Sequence, residues 1–234
     1  MLSSLAQCRQ DFYTVTRMDD ASQKLSRTIW IGVGLAILMV ALAVVTARVE
    51  PRRRGAALPV IAPVADFVLT NQAGEAVTLA NLRGKVWVAD IIFTRCAGPC
   101  PRMTRQMEAL QGALPKESAA RLVTLTTDPE FDTPEVLAKY AGHYNADPGR
   151  WTFLTGPKTQ IAQLAIDSLK LTAIEKKPEE RTDKDDLFIH STIFVLVDKK
   201  GRLRGSFETG GEGIEWTNVQ PALVGAIRQL EHEP

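Results

Sequence analysis

Residues Ile91–Thr104 read IIFTRCAGPCPRMT, and this stretch concentrates the reactive side chains of the chain. Without Ala97 its centre would be Cys-Gly-Pro-Cys, the spacing of a thiol–disulfide enzyme. With Ala97 in place, three residues separate Cys96 from Cys100. A thiolate is the nucleophile of disulfide exchange and also a metal ligand, so the pair by itself suits either chemistry. A permanent disulfide closing so short a loop would stabilise little. The remaining cysteine, Cys8, is far away in sequence, which argues against a disulfide-stapled small scaffold. Cys100 falls in the expected first turn of a helix, where Pro101 is tolerated and the helix dipole favours a thiolate. Arg95 and Arg102 flank the pair and are expected to lower the thiol pKa further.

A third ligand would tip the balance toward a metal. The chain has His143, His190 and His232. His232 is near the carboxyl terminus, where solvation is expected. His143 falls at a helix end, where a histidine complements the dipole. His190 directly precedes the apolar run STIFVLVD, and α/β sheets build their sites around strand ends. Two thiolates and an imidazole suit copper: Cu(I) favours thiolate, and imidazole suits copper generally. Structural zinc usually takes four protein ligands, and no fourth is evident. Met103 and Met107 have helical spacing and read as core.

The elements that must place these residues alternate between strand and helix patterns. DFVLT and AVTL, joined by a turn at Gln72–Glu75, read as a hairpin. KVWVADIIF is a continuous apolar run and reads as a buried central strand. A helix follows the cysteines, with Met103, Met107 and Leu110 on one face. RLVTLTTD reads as a strand, and Thr133 and Pro134 open a helix to about His143. QIAQLAIDSLKL reads as a helix, STIFVLVD and RLRGSFE as strands joined by a Lys-Gly turn, and Pro221–Glu231 as a closing amphipathic helix. Alternation of this kind predicts an α/β fold with a mixed sheet flanked by helices.

Residues Thr28–Ala47 carry no charge and match the roughly 20 residues of a membrane-spanning helix. Arg27 and Arg48 bound the segment, and Trp30 is placed as an interfacial anchor. A cleaved signal peptide, ending at Val45-Thr46-Ala47, is the rival reading; its apolar region and charged start should both be shorter. Basic residues lie on both sides, so the positive-inside rule gives no direction. Asp11, Asp19 and Asp20 argue against a mitochondrial presequence. The expected organisation is an amino-terminal segment (1–27), a span (28–47), an Arg/Ala/Pro-rich linker (48–62) and a domain (63–234). The formal net charge of +1 gives no indication of a nucleic-acid partner.

The motifs together resemble the Sco/SenC family, membrane-anchored thioredoxin-fold proteins that bind copper and help assemble cytochrome c oxidase. The resemblance rests on DFVLTNQAGEAVTLANLRGKVWVADIIFTRCAGPCP, on TTDPEFDTPEVLAKY and on HSTIFVLVDKKG, in that order. It implies a thioredoxin-like domain in which Cys96, Cys100 and His190 bind copper. It also implies a domain outside the bacterial inner membrane, in the periplasm or on the outer face. The implied partners are the copper-accepting oxidase subunit and a thiol reductant or upstream copper donor. Two features depart from or complicate that pattern. The family often has an acidic residue before its histidine, where this chain has Ile189; Asp183, Asp185 and Asp186 are near in sequence. Asp90 resembles the buried aspartate of thioredoxins and could relay a proton to a thiol. The competing expectations are therefore a membrane-anchored thiol–disulfide oxidoreductase and a copper or redox sensor.

Overall fold

The structure is a computed structural model that describes residues 30–41, 57–180 and 188–234, without the side chains of residues 173–175, 178 and 188–190. It contains two compact units, divided between Arg54 and Gly55.

In the first unit, residues 30–41 form a helix, α1. Its large apolar side chains, among them Trp30, Ile31, Ile37, Leu38 and Met39, are exposed. The remainder of the expected span Thr28–Ala47 lies outside the described residues. Among the described residues, no helix is long and apolar enough to cross a membrane.

The second unit is built on an eight-stranded mixed sheet. Its strands are β1 (Ala62–Pro63), β2 (Val68–Asn71), β3 (Ala76–Thr78), β4 (Trp87–Ile92), β5 (Arg121–Thr126), β6 (Trp151–Thr155), β9 (Ile193–Val197) and β10 (Arg202–Glu208). The spatial order is β1-β10-β9-β4-β5-β6-β2-β3. β4, β5 and β6 are parallel, whereas β9 runs antiparallel to β4. A separate two-stranded arm pairs β7 (Ala173–Glu175) with β8 (Phe188–His190). The KVWVADIIF run is the central strand β4, buried along its whole length, because helices cover both faces of the sheet.

Side-chain alternation along β4 divides the core in two. Trp87, Ala89 and Ile91 pack with α2 (Leu79–Leu82) and α5 (Lys158–Ala162). Val88 points to the other face, where α3 (Cys100–Ala113), α4 (Pro134–His143) and α6 (Trp216–His232) bury Met107, Leu137 and Ile227. By the same alternation Asp90 shares the face of α3. Met103, Met107 and Leu110 are fully buried, as their spacing requires, and each contributes about 1.5–3 kcal/mol by leaving water.

Several elements differ from the sequence pattern. QIAQLAIDSLKL is not one regular helix: α5 ends at Ala162 and a π-helical turn covers Gln163–Ser168. Helix α6 begins at Trp216 and carries Pro221 inside it, so this proline is not its first turn. The strand β6 was not expected at all. The chain is attached to the sheet from Leu58, whose carbonyl accepts a hydrogen bond from the buried Arg204, ahead of the expected domain start at residue 63.

Candidate metal centre

The cysteine loop lies between the end of β4 and the head of α3. After Ile92 the chain turns, with the Cys96 N–H donating to the Phe93 carbonyl at 3.2 Å. Pro99 occupies the helix cap, Cys100 the first helical position and Pro101 the second. Cys96 is 9 % exposed and Cys100 is fully buried; with Ile92 and Phe93 they form a small apolar cluster against Tyr140. Neither sulfur is in a disulfide. The Cys96 and Cys100 side chains are hydrogen-bonded to each other. The Gly98 N–H donates to Cys96 Sγ at 3.4 Å. Ala97 and Gly98 are exposed, so the loop covers Cys96 only thinly.

At Cys100 the surroundings oppose the expected activation. Burial pushes the Cys100 thiol far above its ordinary range. The hydrogen bond to Cys96 and the charges of Cys96 and Asp90 push in the same direction, and only a backbone hydrogen bond at Phe93 opposes them. Desolvation outweighs the helix dipole because the dipole acts weakly, by about 0.3–1 kcal/mol at an exposed site. The flanking arginines are engaged elsewhere. Arg95 pairs with Asp128 at 2.5 Å and lies over the Phe131 ring, 4.2 Å from its centroid. Arg102 lies against the backbone at Gly210, where an added Cβ would fall 1.9 Å from its Nη2.

Polar groups that drew no attention in the sequence hold the loop in place. Asp132 is fully buried and accepts from the Thr94 N–H at 3.1 Å and from the Thr94 and Thr126 hydroxyls. Burial raises its pKa, against the lowering effect of those hydrogen bonds. It ties the chain leaving β4 to the end of β5. The helix cap that follows is Thr133, which accepts from the Val136 N–H at 3.4 Å. On α3, the Thr104 hydroxyl contacts the Cys100 carbonyl at 2.9 Å and the Tyr140 hydroxyl at 2.8 Å. Asp132 carries no local signal in the sequence beyond its place just before the helix start at Thr133 and Pro134.

Asp90 is fully buried on β4, opposite Thr124 of β5, and its charge reaches Cys100. His190 closes β8, three residues before β9 begins. Antiparallel pairing places Val195 opposite Ala89 and Val197 opposite Trp87. The start of β9 therefore lies at the end of the sheet where β4 delivers the cysteine loop. His190 itself stands three residues before that rim, in the separate two-stranded arm, although it is about ninety positions from the cysteines in sequence. His143 ends α4, its ring edge-on to Tyr144, and His232 is exposed at the end of α6. Among the described residues, no group of three His, Cys, Asp or Glu side chains is clustered for a metal; the His190 side chain is not among them.

A mixed sheet with a parallel centre, helices on both faces and two cysteines between the central strand and its helix defines a thioredoxin-like α/β protein. A sequence profile described as SCO1/SenC matches residues 59–219, and the chain belongs to that family. The SCO1 protein homolog of Bacillus subtilis (strain 168) is 41 % identical over 142 residues, which is 60 % of this chain and 70 % of the relative. Among solved structures, BsSco, described as a member of the Sco family of cytochrome c oxidase assembly proteins with a disulfide switch, is 31 % identical with a TM-score of 0.62. The match covers 75 % of this chain and 97 % of BsSco. Bradyrhizobium japonicum ScoI, solved with copper bound, is 25 % identical with a TM-score of 0.60, over 72 % of this chain and 99 % of ScoI.

Proposed function

We propose that this chain carries copper as cargo and delivers it during assembly of cytochrome c oxidase, with Cys96, Cys100 and His190 as the copper ligands. The observation that carries the reading is the pair of hydrogen-bonded, nearly buried thiols at the head of α3, with no disulfide between them. The same two sulfurs fit the soft-donor preference of Cu(I), and an imidazole completes the set. Membership of the SCO1/SenC family and the copper-bound ScoI relative support the same assignment. Copper leaves by ligand exchange: a partner thiolate or imidazole enters and the chain's ligands are released in turn. Cys96, the more exposed sulfur, is the natural first point of contact.

The recipient is the copper-accepting subunit of the oxidase, and a thiol reductant or copper donor acts upstream. Helix α1, apolar on all its sides, supports a single membrane anchor over Thr28–Ala47. The domain then faces the periplasm or outer side of a bacterial inner membrane.

One observation favours a second reading. Asp90 is buried on the α3 face and its charge reaches Cys100, as a proton relay in a thiol–disulfide oxidoreductase would require. The two readings separate in a paired assay on purified full-length variants, measuring copper per protein and reduction of a model disulfide. Cys96→Ser, Cys100→Ser and His190→Ala should each weaken copper binding by at least the roughly 10–100-fold that loss of a ligand's supporting partner costs. His190→Ala should leave disulfide formation intact, and Asp90→Asn should disturb thiol reactivity more than copper retention. A wild-type protein that holds no copper yet turns over disulfides rapidly, unaffected by His190→Ala, would replace the first reading with the second.

A further inference from the structure

Helix α3 carries more than the cysteines. Two turns beyond Cys100, the side chain of Gln106 is 8 % exposed and its Nε2 donates to the Thr209 carbonyl at 2.8 Å. Because a carbonyl can only accept, this contact also fixes which end of the amide is nitrogen. Thr209 is itself buried, just past the end of β10. It grips Thr192 twice: its N–H and its hydroxyl both donate to the Thr192 carbonyl, each at 2.8 Å. Thr192 lies two residues after His190. On the other side of this segment the Ser191 N–H donates to the Thr172 carbonyl at 3.0 Å.

We propose that Gln106 and Thr209 are positioning residues for His190, coupling the backbone that carries the histidine to the helix that carries the cysteines. The inference rests on the copper-ligand reading given above. The connection is short and nearly dry, running from α3 through the Gln106 amide, the Thr209 peptide and hydroxyl, and the Thr192 carbonyl. The β10–β9 ladder pairs Glu208 with Ile193, and the Thr209–Thr192 contacts extend it by one step beyond the regular strands. That step adds to the bond from the Thr192 hydroxyl to the Gly210 carbonyl at 3.4 Å and to the Ser191–Thr172 contacts on the other side. A three-ligand site assembled from two distant segments needs them held at fixed separation, since a ligand that wanders loses affinity even when its donor atom is intact.

The test uses full-length protein purified in detergent, loaded with Cu(II), with three variants. Gln106→Met keeps the approximate length of the side chain and removes the donor. Thr209→Val removes only the hydroxyl, and Thr209→Ser restores it. The readouts are the nitrogen coupling of bound Cu(II) by electron paramagnetic resonance, the sulfur-to-copper charge-transfer band, copper affinity by competition, and backbone amide exchange over residues 188–193. Gln106→Met and Thr209→Val should keep the sulfur band and both titratable thiols. They should lose or broaden the nitrogen coupling, weaken copper roughly tenfold or more, and exchange faster over residues 188–193. Thr209→Ser should return to wild type. Wild-type nitrogen coupling and affinity in both disruptive variants would overturn the positioning role. So would loss of the sulfur band together with the nitrogen coupling, which would mean that the whole site had collapsed. If His190→Ala itself leaves copper binding unchanged, the copper-ligand reading fails instead. Amide exchange over residues 188–193 then still decides whether the clasp holds the segment.

Discussion

At Cys100 the conflict between helix dipole and burial is settled by burial, and this has a measurable consequence. Its thiol is raised well above the ordinary range by desolvation first and by Cys96 and Asp90 second, so it enters the copper reaction protonated. Copper binding through sulfur must then expel that proton. The sign follows directly: more alkaline solution removes the competing proton, so apparent copper affinity rises with pH. Each displaced proton contributes up to about tenfold per pH unit while the pH stays below the thiol pKa. Competition against a Cu(I) chelator across about pH 6 to 8, corrected for the chelator's own protonation, measures the slope. A flat profile would mean that Cys100 is already a thiolate, contrary to its surroundings. The same residue shows where sequence reading stops. The cysteines, the proline after them and the neighbouring arginines were all legible. Their mutual orientation was not, because Arg95 is drawn to Asp128 and Phe131 by contacts some thirty residues away.

The elements divide in the same way. Strand β4 was legible because a strand covered on both faces must be apolar throughout, and Val88, Ala89, Ile91 and Ile92 leave little ambiguity. Strand β6, Trp151–Thr155, has only five residues; it is defined by its partners β5 and β2, which no local window contains. The π-helical turn is likewise set at a distance: the Leu169 N–H reaches back five residues to the Leu164 carbonyl, while Leu164, Ala165 and Leu169 pack into the core. Pro221 misled because proline commonly opens helices, yet here it follows five helical residues. Within α6 it removes one backbone hydrogen bond and crowds the preceding turn, and its ring is exposed, so packing offers no compensation. Pro221→Ala should therefore stabilise the protein by about 1–3 kcal/mol. Chemical denaturation should show a higher midpoint with an unchanged slope. A lower midpoint would show that the proline's restriction of the unfolded chain outweighs its cost within the helix.

For the whole molecule, the proposed membrane anchor raises the question of which side the domain would face. Residues 30–41 are helical and present large apolar side chains to their surroundings, which is stable only where something other than water covers them. The uncharged stretch they belong to runs from Thr28 to Ala47, long enough to cross a bilayer as a helix. Arginines stand on both sides of it, so charge alone leaves the direction undetermined. The direction comes from the proposed function, because a domain that loads copper into an oxidase subunit on the outer side must itself be outside. The expected topology is an amino terminus in the cytoplasm, one span, and residues 63–234 beyond the membrane. Protease added to intact spheroplasts should digest the domain and leave a fragment embedded in the membrane, while a cytoplasmic marker protein survives. Deleting residues 28–47 should leave the domain in the cytoplasm with its fold intact, because the sheet and both of its core clusters belong to the second unit. Full protection of the domain in intact spheroplasts, with digestion only after lysis, would reverse the orientation and separate this chain from an oxidase partner on the outer side.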